Sequence, residues 1–414
     1  MLTKHQTDVL NKAISIITSP QNNRLLIKGS AGTGKTYILN ELIKRLPYDL
    51  SQIYVTAPTH KALSVLEGKI DLDVTFKTIH SALQVKKVVD NATGSVAYKP
   101  TFNPKKPLLK FIKVILIDES SMISEVLLDI IDKYYQGKVI FIGDEKQLNP
   151  VEEENSPVFH KGYPEVELVE IIRQGENSPI IDLSRNLDLI HSLEGIRNDA
   201  GAYVFTYDFE KILNRLAEVN GSDELKYLAY TNEEVNRVNS LVRTKLYGDS
   251  PKLIEKGEVL IIDEPYQQQY FTNECLRVNE LLEGKVELTN FLVTNGLKRQ
   301  LNTLKVKIHC YLINGKILAI HEKDTEYSHV LNIIKRKIGE NKLLWSDYYA
   351  FTELFLKFKY AHAISVHKSQ GSTYKNVIIN IENLETDYDS KERKRLLYTA
   401  ITRASDTVIL YNVK

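Results

Sequence analysis

The chain predicts an α/β fold built on parallel sheets, and three observations carry that expectation. Short, continuously apolar runs such as "RLLIK", "VILI" and "KVIFIG" alternate with stretches of helical periodicity. Strands that lack polar alternation are buried on both faces, as parallel sheets covered by helices require. A Gly-rich segment, "GSAGTGKT", joins one such strand to one such helix. The pattern gives way to shorter β-like runs at about residues 253–335 and returns after Tyr360 with "AHAISVH", "NVIINIE" and "TVILYN".

The elements follow in order. "LTKHQTDVLNKAISIITS" reads as a helix with Thr3 as N-cap and an apolar stripe of Leu10, Ala13, Ile14 and Ile17. "RLLIKGS" is a buried strand entering a turn. "KTYILNELIKRLP" is a helix, with Ile38, Leu39, Leu42, Ile43 and Leu46 at helical spacing and Pro47 at its end. "QIYVTAP" is a strand followed by the helical "HKALSVLEGK". "FIKVILIDES" and "GKVIFIGDE" are further strands. At about 83–107, polar and apolar residues alternate around Asn91-Ala92-Thr93-Gly94, which signals a hairpin. The runs "VELTNFLV", "LKVKIHCYLI" and "GKILAIHE" suggest a small barrel or open sheet, and residues 328–360 read as helices linked near Gly339.

The 414 residues allow two to four domains. A net charge of +1 means that any nucleic-acid surface is local, a groove and not a basic body. Two cysteines, Cys275 and Cys310, with no CxxC spacing argue against a zinc module and fit a reducing cytoplasm. No apolar run approaches the ~20 residues of a membrane span. The start "MLTKHQTDVL" has no signal-peptide core, so a cytoplasmic location without a membrane partner is expected.

"GSAGTGKT", Gly29 to Thr36, fits the phosphate-binding pattern GxxxxGK[ST] in its required strand-to-helix context. Glycines let backbone amides close on phosphate oxygens, and the helix N-terminus adds positive potential. Lys35 is placed for the β- and γ-phosphates, and the Thr36 hydroxyl for Mg²⁺. Such an enzyme needs a strand-borne carboxylate for the metal, and "KVILIDESSM" supplies Asp118, with Glu119 beside it to orient or deprotonate water. A second Asp-Glu pair, Asp263-Glu264 before Pro265, lies in the β-rich region and reads as a solvent-facing strand end.

These motifs and several others resemble the superfamily 1 helicases of the 5′-to-3′ branch, most of all the phage Dda type, with RecD-type and Pif-type enzymes as wider relatives. "LTKHQ", "APTHKAL", "TIHSAL", "IDESSM", "GDEKQLNPV", "ELVEIIRQ", "SVHKSQGST" and "LLYTAITRA" carry the resemblance, strongest over 1–175 and 360–414. It implies ATP and Mg²⁺ as cofactors, bound between two RecA-like motor domains. Gly29, Gly32, Thr33, Gly34, Lys35 and Thr36 would hold the phosphates, Gln6 the adenine, and Thr36 with Asp118 the metal. Gln147 would sense the γ-phosphate. Arg173 and Arg403 would stabilise its transition-state charge. His367, Ser369, Gln370 and Gly371 would couple DNA to nucleotide.

The resemblance also implies contacts to single-stranded DNA through Thr59, His60, Thr78, His80, Asn149, Pro150, His367 and Ser369. Tyr98 falls where phage-type members carry an aromatic wedge at a strand-separating pin, with Phe102 in reserve; stacking is worth roughly 1–3 kcal/mol per base. Bland alternatives stand beside each assignment: helix caps for the threonines and Ser369, core hydrogen bonding for the histidines, an ordinary β-former for Tyr98.

The implied partition is 1–82 with 108–167 for the first motor domain, 83–107 for the pin, 168–252 with 359–414 for the second motor domain, and 253–358 for an SH3-like β-rich domain with a helical extension. A monomer acting on single-stranded and forked duplex DNA, with replication or recombination proteins as partners, is the expected activity. An RNA helicase or remodelling ATPase is the alternative, since backbone grips look alike. A clamp that binds ATP with little turnover is disfavoured by intact Lys35, Glu119, Gln147, Arg173 and Arg403.

Overall fold

A computed structural model of the chain describes residues 2–102, 109–150, 153–170, 172, 178–267, 269–287, 307–320, 325–340, 343–386 and 390–412. The first sheet opens with β1 (Arg24–Gly29), β2 (Ile53–Ala57) and β3 (Thr75–Thr78). A two-stranded hairpin follows, β4 (Val85–Val89) and β5 (Val96–Pro100). The chain then returns with β6 (Val114–Ile117), β7 (Lys138–Gly143) and β8 (Glu165–Leu168). The sheet order is β3-β2-β6-β7-β1-β8, parallel throughout.

Alternation along each strand sends side chains to opposite faces, and both faces are covered. Leu25 and Ile27 of β1 pack with Leu10, Ala13 and Ile17 of helix Lys4–Thr18 and with Ile38, Leu39 and Leu42 of helix Lys35–Arg45. Leu26, between them, faces Leu127, Leu128 and Ile131 of helix Glu125–Tyr134. Phe102, the reserve wedge, is a correction: it packs against this second core, edge-on to Tyr134 at 5.1 Å.

The second sheet contains β9 (Ile196–Asn198), β10 (Gly201–Thr206) and β11 (Leu225–Ala229). The intervening segment supplies β12 (Val259–Ile262), β13 (Cys275–Arg277), β14 (Leu281–Glu287), β15 (Lys307–Ile313), β16 (Ile317–Ala319) and β17 (Phe358–Tyr360). The chain then completes the second sheet with β18 (Ala363–Ser365), β19 (Tyr374–Asn380) and β20 (Ala404–Tyr411), in the order β18-β11-β19-β20-β10-β9. Only β9 is antiparallel to its neighbour.

The chain divides into two compact units. Both parallel sheets belong to the first, Met1–Val85, Pro100–Ser240 and His362–Lys414. The second joins the hairpin segment Lys86–Lys99 to Leu241–Ala361. Within it, β12, β13 and β17 form one antiparallel sheet and β14, β15 and β16 another. They share a core that includes Leu260, Ile262, Val278, Ile313 and Ile317. Arg243 and Glu258 make a buried ion pair at 2.6 Å, with the guanidinium 4.0 Å from the centre of the Tyr360 ring. Helices Thr325–Gly339 and Trp345–Thr352 pack through Val330, Ile334 and Phe351, and Phe355, just past the second helix, joins the same core. Among the described residues, no helix is long and apolar enough to cross a membrane.

Candidate nucleotide site and nucleic-acid interface

β6, β7 and β1 are adjacent and parallel, so the loops leaving their carboxyl ends meet at one edge. Those loops carry Asp118, Asp144 with Gln147, and the Gly-rich turn. In the turn, Gly32 and Gly34 sit in the left-handed region at φ +84° and +83°. A side chain there is strained, and a Cβ on Gly34 would also come within 2.7 Å of Gln6 Nε2. Thr33 is buried and donates to the Ser30 carbonyl; the Lys35 ammonium donates to the Gly29 and Ser30 carbonyls at 2.7 and 3.1 Å.

Beside the turn lies a cavity of about 480 Å³. Gly32, Gly34, Lys35, Thr36, Asp118, Glu119 and Gln147 line one wall, while Gly371 and Arg403 approach from the second sheet. Arg403 is buried and held by the Thr399 and Ser372 carbonyls, each accepting at 3.2 Å. Gly371 lies at φ +70°, where a Cβ would come 2.8 Å from that of Ala62, so only glycine lets the two segments approach this closely. Ile172 also lines the cavity, and its N–H donates to the Gly32 carbonyl. Arg173 lies outside the described residues.

Glu119 turns the chain sharply out of β6, with its backbone in the left-handed region at φ +51°. Non-glycine residues held there are uncommon and gather at functional sites. Burial, and secondarily the adjacent Glu119 charge, pushes the Asp118 carboxyl up to about 7, against the opposing pull of Lys35. A sequestered carboxylate beside a second acid and a threonine hydroxyl is an oxygen-donor set suited to a hard divalent cation. Gln147 is buried against the cavity, and its Oε1 has no hydrogen-bond partner among the described residues. Buried acceptors left unpaired in a cavity wall mark places where a ligand supplies the donor.

Several expected site residues stand differently. Gln6 is 2% exposed, its Oε1 accepts from the Thr3 N–H, and its Nε2 donates to the Thr33 carbonyl. It braces the phosphate turn. Ser369 is fully buried and donates to the Val366 carbonyl at 2.7 Å, so its hydroxyl is not presented to a strand. Asn149 is buried and donates to the Glu154 carbonyl, and Pro150 is buried beside it. These positions shape a loop from within. Thr59 and Thr78 cap the helices His60–Glu67 and Ile79–Ala82, accepting from Ala62 and Ser81 N–H groups. Burial holds His60 and His80 below the usual imidazole range, so both are neutral near pH 7. His367 packs beside Tyr230 at 6.2 Å between ring centres.

In the second unit, the hairpin turn docks on helix Trp345–Thr352. Ser346 N–H donates to Asn91 Oδ1 at 2.9 Å, and Tyr349 OH donates to the Gly94 carbonyl at 3.0 Å. The Lys87 ammonium lies 5.1 Å from the centre of the Tyr349 ring. Gly94, at φ +74°, presses on Trp345 so closely that a Cβ would sit 2.5 Å from its ring. Tyr98 on β5 is 57% exposed, as a side chain meeting a ligand must be. The second Asp-Glu pair ends β12, where Glu264 pairs with Lys357 at 2.7 Å on the surface.

Sequence reasoning passed over Tyr398 and Asp144. Tyr398 OH donates to Asp144 Oδ2 at 2.6 Å and accepts from the Ala31 N–H at 2.9 Å. The available signal was an aromatic hydroxyl in the "LLYTAIT" run that precedes Arg403.

Two family descriptions match the chain: an AAA domain over residues 1–198 and a UvrD-like helicase C-terminal domain over 360–411. The ATP-dependent DNA helicase Dda of Enterobacteria phage T4 is 28% identical, over 97% of both chains. The ATP-dependent DNA helicase Pif1 of Campylobacter jejuni is 26% identical, over 95% of this chain and 89% of its own. This chain is similar to the Dda and Pif1 group of superfamily 1 helicases. A solved structure of Bacteroides Pif1 helicase with ADP-AlF3 and single-stranded DNA superposes with a TM-score of 0.51 at 18% identity, covering 99% of this chain and 92% of that one. That agreement gives this chain the α/β fold with two RecA-like domains. Its cavity draws on both matched regions: the AAA segment contributes Lys35, Asp118, Glu119 and Gln147, and the C-terminal segment contributes Gly371 and Arg403.

Proposed function

We propose that this chain is an ATP-dependent DNA helicase that tracks 5′ to 3′ along single-stranded DNA and separates forked duplexes as a monomer. One observation carries the reading. The Gly-rich turn, Asp118-Glu119 and Gln147 line one wall of a cavity whose other wall holds Gly371 and Arg403 from the second parallel sheet. Dda and Pif1, named as ATP-dependent DNA helicases, and the Bacteroides Pif1 complex with a nucleotide analogue and single-stranded DNA support the choice of substrates.

In this reading the turn's amides and Lys35 bind the β- and γ-phosphates. Thr36 and Asp118 hold Mg²⁺, which when bound supplies positive charge across those phosphates. Glu119 orients the attacking water and takes its proton. Arg403, with Arg173, meets the negative charge that develops on the transferring phosphoryl group. Because the two walls come from different sheets, the arrangement is complete only when they approach, which ties hydrolysis to relative motion of the sheets. Both sheets gripping one strand, with Tyr98 on the hairpin as wedge, would turn that motion into unwinding.

The test measures ATP hydrolysis with no polynucleotide, with single-stranded DNA and with RNA, using Lys35→Ala as the inactive control. Strong stimulation by DNA is expected. Stimulation by RNA alone would move the chain to the RNA helicases, and none by either would remove the motor reading.

A further inference from the structure

The Tyr398 hydroxyl occupies an unusual position. Its residue is 4% exposed, on helix Ser390–Ile401, directly before the strand that follows Arg403. It accepts from the Ala31 N–H of the phosphate turn at 2.9 Å and donates to Asp144 Oδ2 at 2.6 Å. The second bond is short, in the range of a hydroxyl donating to a carboxylate. Asp144 is 2% exposed, and its Oδ1 accepts from the Lys146 N–H at 3.1 Å. From that anchored aspartate the chain runs three residues to Gln147, in the cavity wall.

The neighbouring residue reinforces the connection. Thr399 Oγ1 accepts from the Leu148 N–H, and Gln370 Nε2 donates to the Leu148 carbonyl, each at 3.2 Å. Thus the loop 144–148 is clamped on both sides of Gln147 by side chains from the second sheet's elements. Tyr398 alone among these also touches the phosphate turn. Burial first, and Asp144's charge second, raises the Tyr398 phenol well above its ordinary range, so it remains a donor at every working pH.

We propose that Tyr398 is a positioning residue that locks the phosphate turn and the Gln147 loop into one register with the helix leading to Arg403. Nucleotide-driven movement of any one is thereby transmitted to the other two. Tyr398 touches no substrate in this account and acts through Ala31, Asp144 and Gln147. The inference rests on the ATPase reading above and assigns that site an internal coupling.

The test uses Tyr398→Phe in the full chain, which keeps the buried ring and removes both hydrogen bonds, together with Asp144→Asn and the double variant. In Tyr398→Phe, kcat for DNA-stimulated hydrolysis should fall by about tenfold or more, the scale of one charge-assisted hydrogen bond. KM for ATP should change by no more than about twofold, because ground-state binding is left in place. The double variant should be no slower than the slower single, since residues acting as one unit are not additive. An unchanged kcat, additive losses, or a chain that no longer folds once the hydroxyl is gone would each overturn the proposal; the last would make Tyr398 purely structural. Wild-type protein without DNA-stimulated ATPase would instead overturn the parent reading.

Discussion

Replacing Gly94 with alanine should separate unwinding from hydrolysis. A Cβ at this position would lie 2.5 Å from Trp345 Cδ2 and 2.6 Å from Cε2. Ordinary carbon contacts need about 3.5–4.0 Å, so the turn must withdraw by about 1 Å. That movement breaks the Ser346–Asn91 and Tyr349–Gly94 hydrogen bonds, at 2.9 and 3.0 Å. Two such bonds are worth about 1–3 kcal/mol together, and a left-handed backbone adds about 1 kcal/mol once a Cβ is present. The docked hairpin should therefore lose about 2–4 kcal/mol, a roughly 30- to 1000-fold shift in the docked population. Trp345 is the chain's single tryptophan, so its emission reports the event without a label. The expected outcome is a red-shifted emission, DNA-stimulated ATPase within about twofold of wild type, and fork unwinding slowed by at least about tenfold. Red-shifted emission with normal unwinding would refute the claim that a docked hairpin separates strands. Equal loss of both activities would show that the hairpin serves the motor itself.

Three further outcomes follow from the site geometry. Glu119→Gln should abolish hydrolysis while sparing ATP binding, measured by nucleotide affinity alongside turnover. Glu264→Gln should leave both activities intact, because it removes a surface ion pair worth about 0–1 kcal/mol. Chelation of divalent cations should stop hydrolysis and leave single-stranded DNA binding intact, as read by fluorescence anisotropy. Loss of DNA binding in parallel would mean that the metal organises the fold and not the phosphates.

Much of the first unit could be read before any coordinates, because local physics dictates it. "VILI" and the "VIFI" within "KVIFIG" are apolar at every position, which only a strand covered on both faces tolerates, and β6 and β7 are central. The glycines of the phosphate turn signalled backbone geometry that side chains cannot adopt, and Gly32 and Gly34 adopt it. Burial within a loop was not legible. Asn149, Pro150 and Ser369 stand in recognisable motifs, yet which side of the loop faces the core depends on distant packing. Tyr398 meets partners 254 and 367 residues away, and no spacing rule encodes such a meeting. The hairpin illustrates both sides. Its turn was evident from Asn91 to Gly94, but its association with a helix some 250 residues later is a tertiary fact.

The central claim is that the cavity between the two parallel sheets drives directional separation of DNA strands. Strand displacement on two substrates that differ only in tail polarity tests it most directly. With ATP and Mg²⁺, a duplex carrying a 5′ single-stranded tail should be unwound, and one carrying a 3′ tail should not. Unwinding confined to the 3′ tail would contradict the direction, and unwinding of neither, with DNA-stimulated ATPase intact, would contradict the helicase itself.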